Sequence, residues 1–261
     1  MDMYNSIERQ QEILRLTQAQ GKVSVKELAG RFDVSEVTIR NDLAVLDKKK
    51  LLVRSRGGAM VNSQLGRELS LREKSHQHSA LKQQLGRIAA DLIQEGERII
   101  LDSGTTTKEV ASCLLDREDL VVMTNGLNIA TELAQSEKVE VMLTGGALRK
   151  KSMSFYGTIA ERSLQNFNFS KLILGVDGFD LKTGIGTHFE QEAILNRLMC
   201  EMAEQVVVVS DSSKFDRRAF HVICAVQQIH TLVTDSGIPQ NYVDELMRLG
   251  VELHIIDRDN L

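Results

Sequence analysis

The stretch Asp102–Val110, DSGTTTKEV, has residue types that suit an anion site. It follows the apolar run Ile99–Leu101 and leads into a helix-like pattern, which is typical of a strand-to-helix turn. Free N–H groups and the dipole at a helix start favour an anion, and glycine lets the backbone approach a ligand closely. We therefore predict a phosphate-binding turn. Its predicted contacts are Asp102, Ser103, Gly104, Thr105 and Thr106.

Other strand-like runs of the same region also end in small, hydroxylic or amide residues. Strand and helix patterns alternate from Arg98 onward, which predicts a buried, mostly parallel sheet covered by helices. Ligands of such folds bind beyond the carboxyl ends of the strands. We expect one crevice there for a small phosphorylated sugar or polyol. Its further predicted contacts are Asn125, Gly126, Gly145, Gly146, Arg149, Asp177 and Lys214. The alternative is plain turn chemistry, since such turns generally prefer these residue types.

The large domain is predicted to span residues 79–258, beginning with a helix from about Ser79 to Gln94. The predicted strands are RIILD, LVVMTN, VEVMLTG, KLILGVDG, QVVVVSD, HTLVTD and VELHII. The predicted helices are 107–115, 127–136, 156–166, 190–204 and 239–249. Residues 59–78 lack an apolar period and predict a linker. Its His76 and His78 are two residues apart, and we expect no metal site there.

Residues 1–58 have the pattern of a small DNA-binding module. A first helix is predicted over Ile7–Ala19 and ends at Gly21. Ser24 and Glu27 have the spacing of a capping box that opens the helix VKELAGRF. After the turn DVS, Ser35 is expected to cap a third helix, EVTIRNDLAVLDKK. Two helices joined by so short a turn predict a helix-turn-helix.

The third helix has an apolar face and an opposite polar face. Ile39, Leu43 and Leu46 fall on one stripe, so the other side can enter a major groove, where Asn and Arg pair with base edges. The following LLVRSRGGAMV predicts a β-hairpin wing whose arginines contact phosphate. The predicted DNA contacts are Ser24, Ser35, Thr38, Arg40, Asn41, Lys48, Arg54 and Arg56. A purely structural three-helix bundle is the alternative.

Charge is unevenly distributed along the chain. Residues 1–58 hold 11 Lys and Arg against 8 Asp and Glu, which is a net charge of +3. The remaining residues have a net charge of −7, which gives the chain its total of −4. A basic module on an acidic body favours a polyanionic partner for that module, with a solvated basic helix end as the alternative.

Bulk composition is that of an ordinary soluble globular protein, with 42% hydrophobic and 26% charged residues. No run approaches the roughly 20 apolar residues of a membrane span, and the N-terminus has no apolar signal core. Cys113, Cys200 and Cys224 are scattered and predict buried thiols in a reducing cytosol. We expect a cytoplasmic protein with no membrane association, metal or cofactor.

The motifs together resemble one family. The stretch RQQEILRLTQAQGKVSVKELAGRFDVSEVTIRNDLAVLDKKKLLVRSRGGA resembles the DNA-binding domain of the DeoR family of bacterial transcription regulators. The resemblance implies that the second helix of the motif and the wing contact the operator, through Ser35, Thr38, Arg40, Asn41 and Arg54. Lys50 departs from the glycine that many members have at the helix end.

The second half resembles the effector domain of the same family, through LDSGTTT, TNG, LTGGALR, FYG, LGVDG and DSSKF. MSFYG and SLQNFNF are similar to the repressors of N-acetylgalactosamine and galactosamine use. The resemblance implies a Rossmann-like domain similar to ribose-5-phosphate isomerase and related sugar-phosphate enzymes.

The likeness to isomerases raises the question of catalysis. Asp177 and Asp180 of DGFD, with Glu192 near the expected base, keep the outline of such a site, but Thr183 stands where the isomerases have lysine. Deprotonating a sugar carbon requires a base and a group that stabilises the oxyanion. We therefore predict ligand sensing without turnover and no catalytic residues. Glu190 and Glu192 are alternatively a first helical turn that complements its own dipole.

The predicted function is a transcriptional regulator. The family resemblance implies a repressor of a sugar or amino-sugar operon that is relieved by a phosphorylated sugar. It is expected to bind double-stranded operator DNA as a homo-oligomer, a dimer or tetramer. The alternative is a sugar-phosphate isomerase or deaminase with an accessory DNA-binding arm. A bare DNA-architectural protein is disfavoured, because DNA binding does not require the large acidic body.

Overall fold

The computed structural model describes residues 6–20, 22–48, 51–61 and 68–258. The chain divides into two compact units, Met1–Glu68 and Leu69–Leu261. Each unit contains hydrophobic core clusters of its own. No helix in the described ranges is long and apolar enough to cross a membrane.

The N-terminal unit is a winged helix-turn-helix, as predicted. Its elements are α1 (Ser6–Gln20), β1 (Lys22–Ser24), α2 (Val25–Phe32), α3 (Glu36–Lys48), β2 (Leu52–Ser55) and β3 (Gly58–Val61). The strands form an antiparallel sheet in the order β1-β3-β2. Ile13, Leu28, Ile39 and Leu43 bury their side chains in one core, so the apolar stripe of α3 packs against the other helices.

Local side-chain caps set the helix starts in this unit. The Ser24 hydroxyl accepts a hydrogen bond from the Glu27 N–H, and the Glu27 carboxylate accepts from the Ser24 N–H, which confirms the predicted capping box. The Ser35 hydroxyl accepts from the Thr38 N–H at 3.1 Å. Gly21 and Lys50, noted in the sequence, lie outside the described residues.

The boundaries of the predicted linker, 59–78, differ from the observed structure. Strand β3 continues to Val61, because the wing pairs Leu52 with Val61 and Ser55 with Gly58. Residues 62–67 lie outside the described part of the chain. A short helix, α4 (Leu71–Ser75), follows, because Ser70 and Glu73 form a second capping box.

The C-terminal unit is an α/β domain around a seven-stranded parallel sheet. Its further helices are α5 (Ser79–Asp91), α6 (Thr105–Ser112), α7 (Leu127–Leu133), α8 (Thr158–Leu164), α9 (Glu190–Met202) and α10 (Gln240–Arg248). The strands of the main sheet are β4 (Arg98–Leu101), β5 (Val121–Thr124), β6 (Glu140–Leu143), β9 (Phe169–Gly175), β12 (Ala203–Val209), β14 (Thr231–Asp235) and β15 (Glu252–Ile256).

The strand order of this sheet is β15-β14-β12-β9-β4-β5-β6, and all pairings are parallel. From β4 the chain proceeds to one edge through β5 and β6, and from β9 to the other edge through β12, β14 and β15. The order therefore reverses between β4 and β9. In open α/β sheets a ligand binds beyond the carboxyl ends of the strands at such a switch point.

In the C-terminal unit, five short strands were absent from the prediction. They form a hairpin, β7 (Ala147–Arg149) with β8 (Ser154–Tyr156), and an antiparallel sheet, β10 (Gly178–Asp180), β11 (Gly184–Thr187) and β13 (His221–Cys224). Glycines rather than apolar alternation mark the second sheet. At Gly184, with φ +88°, a Cβ would lie 2.1 Å from the Cys224 carbonyl oxygen, so close strand approach replaces the usual pattern.

Two of the three cysteines match the predicted burial and one does not. Cys200 and Cys224 are buried in the core, whereas Cys113 is exposed at the end of α6. Its exposure arises because Cys113 follows the last turn of that helix, beyond the buried Val110 and Ala111.

Candidate functional site

The turn after β4 is held in place by its neighbours in the sheet. The Asp102 N–H donates to the Ile173 carbonyl of β9 at 3.0 Å, and the Ser103 N–H donates to the Asn125 side-chain oxygen at 2.8 Å. The Asn128 amide donates to the Gly104 carbonyl at 2.9 Å. Helix α6 begins at Thr105, two residues earlier than predicted, so Thr105 and Thr106 lie in its first turn.

Several polar atoms around this turn are buried without a hydrogen-bond partner. They are Asp102 Oδ1, Thr107 Oγ1, Asn125 Nδ2 and Asn128 Oδ1. Buried polar groups in proteins are nearly always paired, because an unpaired one costs about 1–3 kcal/mol. Four such atoms beside one strand-to-helix turn are what a polar ligand would satisfy.

Carboxylates from both sides of the switch point belong to one cluster. Thr187 donates to Asp177 at 3.1 Å and lies 3.4 Å from Glu192, and Lys74 Nζ lies 2.6 Å from Asp177 Oδ1. A Cβ built on Gly175 would lie 3.9 Å from Asp102 Oδ2, which places that carboxyl at the end of β9. We call the following residues the switch-point cluster: Asp102, Asn125, Asp177, Thr187, Glu192, Lys74, Lys82 and Lys214.

Two carboxyls of the cluster have opposite proton affinities. Burial, and then the charge of Glu192, raise the pKa of Asp102 well above its usual value, which favours its neutral form. Burial also pushes the pKa of Asp177 upward, but the charges of Lys74 and His188 outweigh it and lower that pKa to about 2. The cluster therefore holds one carboxyl that can donate a hydrogen bond and one that only accepts.

Lysines supply the positive charge of the cluster. Burial lowers the pKa of Lys82 to about 8, against the charge of Asp211, and it also lowers the pKa of Lys214, against Asp211 and Asp177. Lys74 lowers both pKa values further, so the three ammonium groups interact. An anion placed among them would relieve this repulsion.

Gly145, Gly146 and Arg149 each have a structural role within the fold. Gly145 and Gly146 have φ values of +65° and +104°, and a Cβ on Gly146 would lie 2.5 Å from the Tyr156 carbonyl oxygen. Arg149 lies 3.3 Å from Glu192 Oε1 and stacks 4.4 Å above the ring of Phe189. Backbone conformation alone therefore accounts for both glycines.

The arrangement of Glu192 does not suit a general base. Ser152 and Ser154 donate to Glu192 Oε1, and Arg149 contacts both of its oxygens. The Thr187 hydroxyl, which donates to Asp177, lies 3.4 Å from Oε2. A carboxylate must be free on one oxygen to remove a proton from a substrate. Glu192 is buried by these donors and serves as an acceptor that joins the β7–β8 hairpin to α9.

Thr183, at the position of the isomerase lysine, lies in the turn between β10 and β11. Its hydroxyl and N–H both donate to Asp180 Oδ1, at 3.0 and 2.9 Å, and Arg218 contacts the other oxygen of Asp180. Lys182, next to it, is exposed. This turn thus supports its own backbone and contributes no ammonium group to the switch-point cluster.

In the N-terminal unit, the predicted DNA contacts lie mainly on the surface. Arg40, Asn41, Lys48, Arg54 and Arg56 are exposed, as is Val37 at 61%. Arg40 forms an exposed pair with Glu36 at 2.6 Å. The hydroxyls of Ser24, Ser35 and Thr38 instead take part in helix caps.

Sequence reasoning missed Lys74 and Lys82 as residues of this site. Lys82 had a detectable signal, because it lies on the buried face of α5 with Leu85, Gly86 and Ala89. Lysine on an apolar helix face is rarely left buried without a partner. Lys74 had none, since it meets Asp177 across 103 residues of chain.

Comparison with known proteins agrees with both halves of this description. Residues 9–65 match the DeoR-like helix-turn-helix domain, and residues 77–236 match the DeoR C terminal sensor domain. The chain is similar to the putative aga operon transcriptional repressor of Escherichia coli O157:H7, with 46% identity over 95% of this chain and 93% of that protein.

More distant relatives cover the chain equally well. The glycerol-3-phosphate regulon repressor of Escherichia coli K12 is 30% identical over 95% of this chain and 98% of its own. Among solved structures, ribose 5-phosphate isomerase from Plasmodium falciparum is 17% identical over 52% of both chains, with a TM-score of 0.39. The two family matches and the full-length relatives establish that the chain belongs to the DeoR family of transcriptional regulators.

Proposed function

We propose that this protein is a repressor of a sugar or amino-sugar operon, and that a phosphorylated sugar bound at the switch-point cluster relieves the repression. The observation that carries the proposal is the set of buried, unpaired polar atoms around the β4–α6 turn, beside three interacting lysines. This set offers acceptors and donors for hydroxyls together with positive charge for a phosphate. The similarity to the aga operon repressor favours a hexosamine phosphate.

In the proposed complex, the phosphate lies at the start of α6. Free N–H groups and the side-chain hydroxyls of Thr105 and Thr106, together with the helix dipole, favour an anion there, and Lys82 and Lys214 neutralise its charge. The ligand hydroxyls donate to Asp177 and accept from neutral Asp102. The full proposed contact set is Asp102, Ser103, Gly104, Thr105, Thr106, Asn125, Gly126, Gly145, Gly146, Arg149, Asp177 and Lys214, with Lys82 added.

In the proposed operator complex, α3 enters the major groove and the wing contacts phosphate. Asn41 and Arg40 read base edges, and Arg54 and Arg56 contribute sequence-independent attraction. Because Ser24 and Ser35 use their hydroxyls as caps, their contribution is to present helix N-termini to the DNA backbone. The full proposed set is Ser24, Ser35, Thr38, Arg40, Asn41, Lys48, Arg54 and Arg56.

In this proposal the protein binds its ligand without converting it. Hydrogen-bond donors already occupy Glu192, and Thr183 stands where the isomerases have lysine. A homo-oligomer, dimer or tetramer, would place paired winged helices on repeated half-sites. Turnover is the discriminating measurement. Steady conversion of ribose 5-phosphate or galactosamine 6-phosphate, abolished by Glu192→Gln, would overturn this part of the proposal.

The test of sensing compares a double variant, Thr105→Ala with Thr106→Ala, with the control Thr131→Ala on the exposed side of α7. Binding to DNA from upstream of the gene is measured at fixed salt with ribose 5-phosphate, galactosamine 6-phosphate, N-acetylgalactosamine 6-phosphate and glycerol 3-phosphate. We expect DNA binding to survive in all proteins and release by the active ester to be lost only in the double variant. Equal release from the double variant and the wild type would contradict the assignment.

A further inference from the structure

The helix α4 lies at the start of the C-terminal unit and is held against the rest of that unit by polar contacts. None of its residues is buried. The Leu71 N–H donates to the Lys151 carbonyl at 2.9 Å, Lys74 pairs with Asp177 at 2.6 Å, and Lys82 donates to the Lys74 carbonyl at 2.6 Å. Contacts of this kind depend on local charge far more than apolar packing does.

Two of these contacts reach into the switch-point cluster. Asp177 follows β9 at the point where the strand order reverses, and Lys82 shares the electrostatic environment of Lys214 and Asp211. Lys74 therefore connects α4 to a carboxylate beside the proposed ligand. The N-terminal unit ends at Glu68, only a few residues before α4 begins.

We propose that Lys74 transmits ligand occupancy to the DNA-binding unit by exchanging Asp177 for the anionic group of the ligand. The inference rests on the proposed function, which supplies a phosphate ester at the cluster. A phosphate dianion competes with Asp177 for the Lys74 ammonium, and the ligand hydroxyls replace that ammonium as donors to Asp177. The position of α4, which begins close to the end of the N-terminal unit at Glu68, then depends on occupancy.

The surroundings of α4 leave space for such a movement. A cavity of about 290 Å³ lies beside it, lined by Arg72 and Ser75 of α4 and by Thr105 and Lys108 of α6. Because α4 has only five residues and no buried side chain, its displacement exposes little apolar surface. The polar contacts of α4, among them the Lys74–Asp177 ion pair, therefore decide where it lies.

The test uses the full chain with Lys74→Gln, the conservative variant Lys74→Arg, and the matched control Lys182→Gln at an exposed lysine. The probe is galactosamine 6-phosphate, or whichever ester of the panel releases DNA from the wild type most strongly. Three quantities are measured: probe affinity without DNA, the factor by which saturating probe weakens DNA binding, and amide hydrogen exchange of the peptide covering residues 69–77.

In the wild type and in Lys182→Gln, the probe should weaken DNA binding by a factor within the usual coupling range of about 5–150 and should speed exchange in residues 69–77. In Lys74→Gln, exchange there should be fast before the probe is added, the probe should bind more weakly because the Lys74 ammonium is lost, and at saturating probe the factor should fall to about one. Lys74→Arg should restore much of the coupling, because it keeps the charge.

Unchanged coupling and exchange in Lys74→Gln would overturn the inference while leaving the proposed function standing. Failure of every ester to bind the wild type would overturn the proposed function itself, and the inference with it. Direct measurement of probe binding separates these two outcomes.

Discussion

The N-terminal unit and the switch-point cluster use similar polar residues in opposite environments. Arg40, Asn41 and Arg54 are exposed to solvent, and Arg40 also pairs with Glu36. Asp102 and Asn125 are buried, and each has an atom that no partner satisfies. The first surface suits a long polyanion held by many screened contacts, whereas the second suits a small ligand that replaces missing hydrogen bonds.

The largest expected effect concerns a buried ion pair inside the N-terminal unit. Arg9 lies 2.6 Å from Asp42, both are buried, and Gln10 also donates to Asp42. Asp42→Ala removes the buried carboxylate that pairs with Arg9 and should destabilise this unit by about 3–5 kcal/mol. Chemical denaturation followed by circular dichroism should show an early first transition, with that of the C-terminal unit unchanged.

The matched control breaks an exposed pair in the same unit. Glu36→Ala removes the partner of Arg40 and should cost only about 0.3–0.5 kcal/mol. Similar losses in the two variants would show that burial does not distinguish the buried pair from the exposed one.

The next effect concerns base recognition by α3. Asn41→Ala should weaken binding to the specific operator by about 1–3 kcal/mol, because an amide that pairs with a base edge is lost. Binding to unrelated DNA, measured in the same fluorescence-anisotropy titrations, should change little. An equal loss on both DNAs would reassign Asn41 to the phosphate backbone.

A smaller effect is expected at the wing. Arg54→Gln should weaken binding to all DNA sequences about equally and reduce the slope of log affinity against log salt by about one. The control is Arg248→Gln, which replaces an exposed arginine of the C-terminal unit and gives the protein the same net charge as Arg54→Gln does. A slope unchanged relative to that control would remove Arg54 from the DNA contacts.

The smallest effect is a proton taken up when ligand binds. Burial lowers the pKa of Lys82 to about 8, so above that pH most of the Lys82 side chain is a neutral amine. Nearby Asp211 opposes this shift, and Lys214, Lys74 and then Glu109 contribute smaller effects. A phosphate dianion favours the charged form and raises the pKa. Lys82 should therefore take up part of a proton on binding between roughly pH 8 and 10, and it should contribute none near pH 6, where it is already charged.

Calorimetry of galactosamine 6-phosphate binding in two buffers of different ionisation enthalpy measures this uptake. The variant Lys82→Met should lose it, whereas Lys182→Gln should keep it. Uptake that persists in Lys82→Met would assign the proton to another group of the cluster, such as Lys214.

Elements fixed by local interactions were predictable from the sequence. The caps at Ser24 and Ser35 define α2 and α3, and apolar runs locate the seven parallel strands. The β10–β11–β13 sheet was not predictable, because its glycines are required by backbone approach across distant segments. Local pattern carries no record of such contacts.

The candidate site divides in the same way. The β4–α6 turn could be recognised because its residues are contiguous, and the structure keeps them together at a helix start. The partner of Asp177, Lys74, lies in a segment predicted as a linker, and only the folded chain brings them together. The engagement of Glu192 by Ser152 and Ser154 likewise depends on the unpredicted β7–β8 hairpin.

The central claim is that one chain couples a DNA surface to a ligand cluster. Coupling is reciprocal, so the factor by which ligand weakens DNA binding must equal the factor by which DNA weakens ligand binding. Both factors are measured on the full chain at one salt concentration, with operator DNA and galactosamine 6-phosphate or the most active ester. We expect equal factors, both well above one. A ligand that binds with the same affinity in the presence and absence of saturating operator would contradict it.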